Sequence, residues 1–341
     1  MGSHAGEVLI VGGGLIGSSI AWRLAQRGIR VRIADAGGFA QTQSFPNGEA
    51  STAGAGMLSP GGEFTAPSPW VDLGIASMRL YPEFVEQLHS ETGMDVDFRI
   101  CGCLQLPSSP EATSVELQRQ AGIRVELRDI GLFYPDDAIV DPVALLLSLR
   151  KAIVARGVVV ETWRVTEIES NEYLAIVIAS GAWSGALRVS SGGGVIALPE
   201  STPVKGHLIG YQMRPGLLGP YLRKGHTYIV QRSDGFMIAG STEESVGFNT
   251  DVDAAICEDI HRRAVEMLPA LGEVSPSKRW IGFRPGPESA TGPHMQRMND
   301  GEGNATNVWL AYGHYRNGIL LTPLTATKIA GEIAASVAEA S

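Results

Sequence analysis

The chain has 341 residues, of which 44% are hydrophobic, and a formal net charge of −9. That length suits two domains, or one large domain with an insertion, and the apolar content is enough for a sizeable core. The acidic balance and the lack of any Lys/Arg block argue against nucleic-acid or membrane partners, and no apolar run approaches bilayer length. A cytoplasmic protein working on small molecules is expected, with self-association open. The three cysteines, Cys101, Cys103 and Cys257, form no CxxC pair and no cluster with histidine, so reduced, structural thiols and no metal site are expected.

Residues Met1 to His4 have the look of an expression-tag remnant. The apolar run Val8 to Val11 then leads into Gly12-Gly13-Gly14-Leu15-Ile16-Gly17, a GxGxxG pattern between a strand and a helix. Gly12 permits the tight turn, Gly14 lets backbone approach a pyrophosphate, and Gly17 lets helix and strand pack closely. Leu15 and Ile16 open the helix, whose positive end faces the phosphates. Gly28 stops that helix, and the run Val31 to Ala34 ends at Asp35, next to Ala36. A carboxylate at Asp35 can accept from ribose hydroxyls and disfavours a 2′-phosphate. The motif predicts a dinucleotide without separating FAD from NAD.

Residues 39–59 are rich in glycine, alanine, serine and threonine, which suits backbone lying against a ligand. Helical periodicity over 73–91 puts Met78, Tyr81, Val85 and Leu88 on one core-facing stripe. Alternation over 98–106 predicts a strand with Cys101 and Cys103 on one face. Asp141-Pro142 reads as N-cap and first position of a helix over 145–155, closed by Gly157 and followed by a strand at 158–161. The fully apolar run 174–179 suits a strand buried on both faces and opens into Ser180-Gly181-Ala182-Trp183. Ser190 to Gly194 reads as a flexible loop. Alternating runs at 208–213, 228–232 and 236–239 predict an antiparallel sheet, before a strand at 308–311 and a helix from about 325 to 338. The expected fold is α/β: a discontinuous Rossmann-like nucleotide-binding domain (5–88, 138–203, 280–341) with a second, largely antiparallel-sheet substrate-binding domain (89–137, 204–279).

Four segments, VGGGLIG (11–17), GEASTAGAGML (48–58), VIASGAWSG (177–185) and GHYRNGILLTP (313–323), resemble the D-amino acid oxidase superfamily of FAD flavoenzymes, and within it the glycine oxidases. The resemblance runs from end to end and implies FAD. It places Ser51, Thr52, Ala55, Gly56 and Met57 along the cofactor, the backbone of Val165 at adenine, and Ser180, Gly181 and Trp183 beside the pyrophosphate. It sets Tyr315, Arg316, Asn317, Gly318, Ile319 and Leu320 near the flavin, where helix N–H groups would stabilise negative charge at N1 and O2. Relatives of the sarcosine oxidase type attach FAD through a late cysteine; none follows Cys257, so noncovalent FAD is expected.

The resemblance also assigns catalytic positions. Arg316 takes the substrate carboxylate, a task its planar fork suits. Arg284 is the second arginine and also borders the cofactor, Tyr228 closes over the carboxylate, and Met57 lines the pocket near the flavin. The implied reaction is hydride transfer from Cα to flavin N5, hydrolysis of the imino product, and reoxidation by oxygen to hydrogen peroxide. No side-chain base is needed if the amine is already neutral.

The sequence departs from that pattern at Val165 to Leu174, a shortened peripheral excursion. It departs again at Ser241 to Asn249, where a histidine-containing loop is usual, and at His294-Met295-Gln296. The last two are expected at the pocket mouth, which points to glycine or a glycine with a larger nitrogen substituent, giving glyoxylate and the freed amine. The alternatives are a D-amino acid or sarcosine oxidase, a dehydrogenase of the same fold using an acceptor other than oxygen, and a non-catalytic nucleotide-binding module. Plain packing for Tyr228 and a structural salt bridge for Arg284 are the bland alternatives at those positions.

Overall fold

The computed structural model describes residues 4–39, 48–61, 67–107, 115–191, 194–286 and 292–339. Its first sheet has six strands in the spatial order His294–Asn299, Ala305–Tyr312, Tyr173–Ile178, His4–Val11, Val31–Asp35 and Val159–Thr162. All neighbours are parallel except the first pair. The central strands are apolar throughout because both faces are covered. Val8 and Ile10 pack under the helices Leu15–Gln26, Pro142–Ala155 and Thr322–Glu339. Leu9 and Val11 pack instead on Ile168, Val189 and Ile196, from a small sheet of Glu167–Glu169, Arg188–Ser191 and Gly194–Ile196.

Local signals hold at the helix ends. Asp141 Oδ1 accepts from the N–H groups of Val143 (2.9 Å) and Ala144 (3.3 Å), with Pro142 in the first position. The helix expected over 73–91 spans Pro69–Thr92 and stops at Gly93, whose φ of +68° suits a residue without Cβ. Two expectations are corrected. The strand expected over 98–106 is only Cys103–Gln105, because Gly102 takes a φ of +74° and breaks the alternation; Cys101 and Cys103 share no strand face. Of the loop expected at 190–194, Ser190, Ser191 and Gly194 are in strands, with Ser191 opposite Gly194 in an antiparallel pair, and residues 192–193 lie outside the described set.

The second sheet has eight strands, ordered Lys278–Gly286, Thr202–Gln212, Phe236–Gly240, Thr227–Gln231, Tyr221–Lys224, Cys103–Gln105, Gly131–Tyr134 and Glu126–Arg128. Every pair is antiparallel except the fifth with the sixth. Helix Ala254–Met267 covers one face through Ile260 and Ala264, against Ile209, Ile229 and Met237. The opposite face carries the polar side chains described next. The boundaries expected at 203/204 and 279/280 cut through one continuous ladder, in which Thr202 pairs with Gly286 and Gly210 with Lys278. By hydrogen bonding, both strands belong to the antiparallel sheet. Among the described residues no helix is long and apolar enough to cross a membrane.

Candidate active site

A cavity of about 580 Å³ runs from the glycine loop of the first sheet to the polar face of the second. At the nucleotide end Gly12 has a φ of +107°, and a Cβ there would lie 2.5 Å from the carbonyl oxygen of Ala179. Gly14 faces Ser51, whose hydroxyl accepts from the N–H of Leu15 at 3.0 Å and so satisfies one orphan donor of the helix start. Gly17 does not line the cavity; a Cβ there would be 1.9 Å from Gly12 O, so its task is close packing. Asp35 ends its strand with Oδ2 accepting from Gly13 N (2.8 Å) and Oδ1 from Gly37 N (3.0 Å). Ile16, Ala36, Thr52, Ala55, Gly56, Met57 and Val165 line the walls. Ser180 donates to Val11 O, Gly181 turns at φ +57°, and Trp183 stacks on Phe248 with ring centroids 4.9 Å apart.

Arg150, from helix Pro142–Ala155, lines this end too and was not legible as a site residue. Its guanidinium lies 4.4 Å from the Phe39 ring, and its buried Nε has no hydrogen-bond partner. An orphaned cationic donor in the same cavity as a glycine-built helix start fits the pyrophosphate of a dinucleotide.

At the other end, Arg284 donates to Thr242 O (3.0 Å) and Ser241 Oγ (2.8 Å). A Cβ on Gly206 would come within 2.6 Å of its guanidinium, so a glycine two residues along the neighbouring strand from its partner Val204 is what leaves it room. Gly240 does the same for Tyr228, since a Cβ there would be 2.8 Å from the phenol oxygen. Tyr315 sits at a φ of +48°, unusual for a residue with Cβ, in the turn that presents Arg316. Both reach Glu243: its Oε1 accepts from Tyr315 OH (2.5 Å) and from Arg316 Nε (2.8 Å), with Nη2 also at 2.8 Å. Burial works to raise the Glu243 carboxyl, but Tyr315, Arg316 and Arg284 together hold it below the ordinary value. Burial, then Glu243 itself, pushes the Tyr315 phenol up to about 12.

Glu243 belongs to the 241–249 loop, which does reach the mouth. Buried His207 ties that loop down, with Nδ1 at 2.7 Å from Glu244 and Nε2 accepting from Asp253 N at 2.9 Å. Lys205 adds donors to Asn249 Oδ1 and Asp251 O.

Asn317, Gly318 and Ile319 line the cavity, and Tyr81 fixes their turn by donating to Ile319 O at 2.6 Å. Leu320 does not line it. One step further round the turn, its side chain is 2% exposed in the core while its carbonyl accepts from Ser77. His294 does not line the cavity: it packs behind it on Tyr312, ring centroids 5.1 Å apart. His314 is buried and bonded to Thr325 at 2.9 Å, and burial, then neighbouring His294, pushes its pKa down to about 3. It is neutral at any working pH. Arg223, unmarked by any motif, lines the same cavity beside Gly225 and His226.

The family model for FAD dependent oxidoreductases (DAO) matches residues 7–331. The bifunctional protein ThiO/ThiG of Synechocystis sp. is 34% identical over 95% of this chain and 51% of its own length, so the chain spans about half of that relative. The glycine oxidase of Geobacillus kaustophilus is 29% identical over 96% of this chain and 93% of that protein. The crystal structure of glycine oxidase from Geobacillus kaustophilus superposes with a TM-score of 0.82 at 28% identity, covering 97% of this chain and 95% of that one.

Proposed function

This chain belongs to the DAO family of FAD-dependent oxidoreductases, and on that premise we propose that it is an amine oxidase acting on glycine or on a glycine substituted at nitrogen. The observation that carries the reading is the convergence of Arg316, Arg284 and Tyr228 at one end of a cavity whose other end is a dinucleotide loop. FAD would be held by the Gly12 to Gly17 turn, Asp35, Arg150 and the backbone of Gly318 and Ile319, and when bound it supplies a two-electron acceptor. None of the three cysteines lines the cavity, which supports a noncovalent flavin.

The chain's own contribution is positioning. A planar guanidinium takes a carboxylate through two parallel N–H donors, so Arg316, backed by Arg284 and Tyr228, fixes the substrate carboxylate and thereby Cα. The Glu243 carboxylate already engages Arg316, so a substrate carboxylate binds in competition with it. His314 is buried, bonded to Thr325 and held to a pKa of about 3, too weak a base to take the amine proton; the amine enters already neutral. Oxidation of an N-substituted glycine at its methylene, followed by hydrolysis of the imine, releases glyoxylate and the substituent's amine, with oxygen reduced to hydrogen peroxide.

Anaerobic addition of glycine, sarcosine and N-(carboxymethyl)alanine to the yellow holoprotein tests the reading. Bleaching by the N-substituted compounds, at rates at least equal to glycine, is expected. A wide preference for free glycine overturns the substituted-amine part, and a flavin bleached by no amine favours the binding-module alternative. Peroxide formation coupled to oxygen uptake separates an oxidase from a dehydrogenase.

A further inference from the structure

The cavity holds one more cation, and the reaction above gives it no task. Arg223 is 6% exposed and lines the cavity on the antiparallel sheet. It stands opposite Tyr228 in one strand pair and in register with Gln105 in the next, so the three side chains rise from one face of the sheet. The Arg223 and Arg284 strands are four spacings apart, about 19 Å between strand axes. The Arg284 guanidinium leans back across Gly206 of the next strand, and Tyr228 stands on a strand between those of the two arginines.

The surroundings of Arg223 leave it short of counter-charge. Its guanidinium donates to the Gln105 side-chain oxygen and lies 5.8 Å from the centre of the Tyr134 ring. Among the described residues no carboxylate oxygen comes within 4 Å of it. The nearest buried carboxylate, Asp137, has Oδ2 occupied by the hydroxyls of Ser59 and Tyr221 and acts on Arg223 only from beyond ion-pair distance. Buried guanidinium groups carry five donors and are ordinarily matched by an anion. Here no carboxylate among the described residues makes direct contact, and the guanidinium lines the cavity.

We infer that Arg223 forms a second anion subsite, which takes a carboxylate carried on the nitrogen substituent of the substrate. The preferred substrate class is then an N-(carboxyalkyl)glycine, a secondary amine with a carboxylate at each end. The inference rests on the proposed function, in which Arg316 and Arg284 hold the glycine carboxylate. Gln105 supports the Arg223 fork, and Tyr228 stands where both carboxylates flank the reacting amine. The glycine loop follows a strand of the other sheet and Arg150 comes from the helix packed on that sheet, so the flavin phosphates leave Arg223 to the substrate.

The test compares N-(carboxyethyl)glycine with N-isopentylglycine, which has the same shape without the second charge, on the holoenzyme. Wild type is expected to favour the dicarboxylate by about 30-fold in kcat/KM, as one charge-assisted fork warrants. Arg223→Gln erases that preference through KM and leaves sarcosine turnover within about 3-fold, while Arg223→Lys retains part of it. A variant that loses both substrates equally, or a wild type without preference for the dicarboxylate, overturns the inference. Because Arg223 is buried and its variants can fail to fold, a second measurement uses wild type alone. Competitive inhibition of sarcosine oxidation by glutarate is expected to be at least about 10-fold tighter than by butyrate, and equal inhibition counts against the subsite. If sarcosine and glycine leave the flavin unbleached, the amine-oxidase reading has failed; if they bleach it and the second charge brings no gain, only the Arg223 subsite has failed.

Discussion

The two ends of the cavity are built from different materials. At the nucleotide end, turn glycines, a helix start and one strand-end carboxylate come from a single stretch, residues 12–35. At the substrate end each side chain arrives on a different element. Arg284 comes from a sheet-edge strand, Tyr228 and Arg223 from neighbouring strands, Arg316 from the turn before the last helix, and Glu243 from a loop tied down by His207. The framework of the first end is local to the chain, with Ser51, Arg150 and Ser180 added by the fold, whereas the second end is wholly a product of topology. Charge divides the substrate end again: Arg316 is matched by Glu243, whereas Arg223 meets a neutral amide.

That contrast sets the order of expected effects. Gly12→Ala places a methyl 2.5 Å from Ala179 O at a φ that disfavours any side chain, so the variant should give less folded protein, and what is purified should be colourless. A fully yellow Gly12→Ala protein would mean the nucleotide end is not built on its backbone. Arg316→Ala should keep its flavin and lose about 100- to 1,000-fold in kcat/KM, mostly through KM, because it removes the fork from a bound carboxylate. Turnover within a factor of a few of wild type would transfer the carboxylate role elsewhere.

Asp137 tests the buried charge behind the substrate face. Burial raises its folded pKa to about 6, so between the unfolded value near 4 and about 6 the folded protein holds a proton that the unfolded chain releases. Stability contributed by the neutral carboxyl is thus full at low pH and falls as pH rises through this window, by up to about 3 kcal/mol. Asp137→Asn should flatten that part of the Tm against pH curve; an unchanged slope would place the proton elsewhere. The smallest effect belongs to Glu243→Gln. The Glu243 ion pair is partly exposed, so its loss should cost stability less than about 1 kcal/mol. Removing the competing carboxylate should lower KM for glycine derivatives by about 3-fold. A raised KM would show Glu243 assisting the substrate instead of competing with it. Since the Glu243 carboxyl is held below its ordinary value, the pair persists at neutral pH and its contribution is lost as pH falls through that lowered value.

Much of this architecture was legible before any coordinates, and the failures have physical causes. Periodicity and caps located the helices beginning at Pro69 and Pro142 to within a few residues, because amphipathic stripes and an Asp-Pro start are local. The parallel strands announced themselves by being apolar on both faces. At Leu320 only the backbone is available to a ligand, because a helical turn rotates each successive residue by about 100°, so Ile319 faces the cavity while the next side chain enters the core. His294 was misassigned because its edge strand directs it at Tyr312. Arg223 sits in a four-residue strand, Tyr221–Lys224, without a motif, and only pairing with Thr227–Gln231 sets it beside Tyr228. Arg150 sits beside Lys151 in a largely apolar helix, where a solvated role looks natural until the helix is docked over the glycine loop.

The most direct test of the central claim, that arginines at one end of this cavity present an amine to a flavin anchored at the other, is an anaerobic titration of the holoprotein with sarcosine, followed in the visible flavin band. The account predicts that the band bleaches in wild type and that Arg316→Ala needs far more sarcosine to bleach at all. A wild-type flavin that keeps its colour at saturating sarcosine and glycine, or an Arg316→Ala protein that bleaches as readily as wild type, would contradict it.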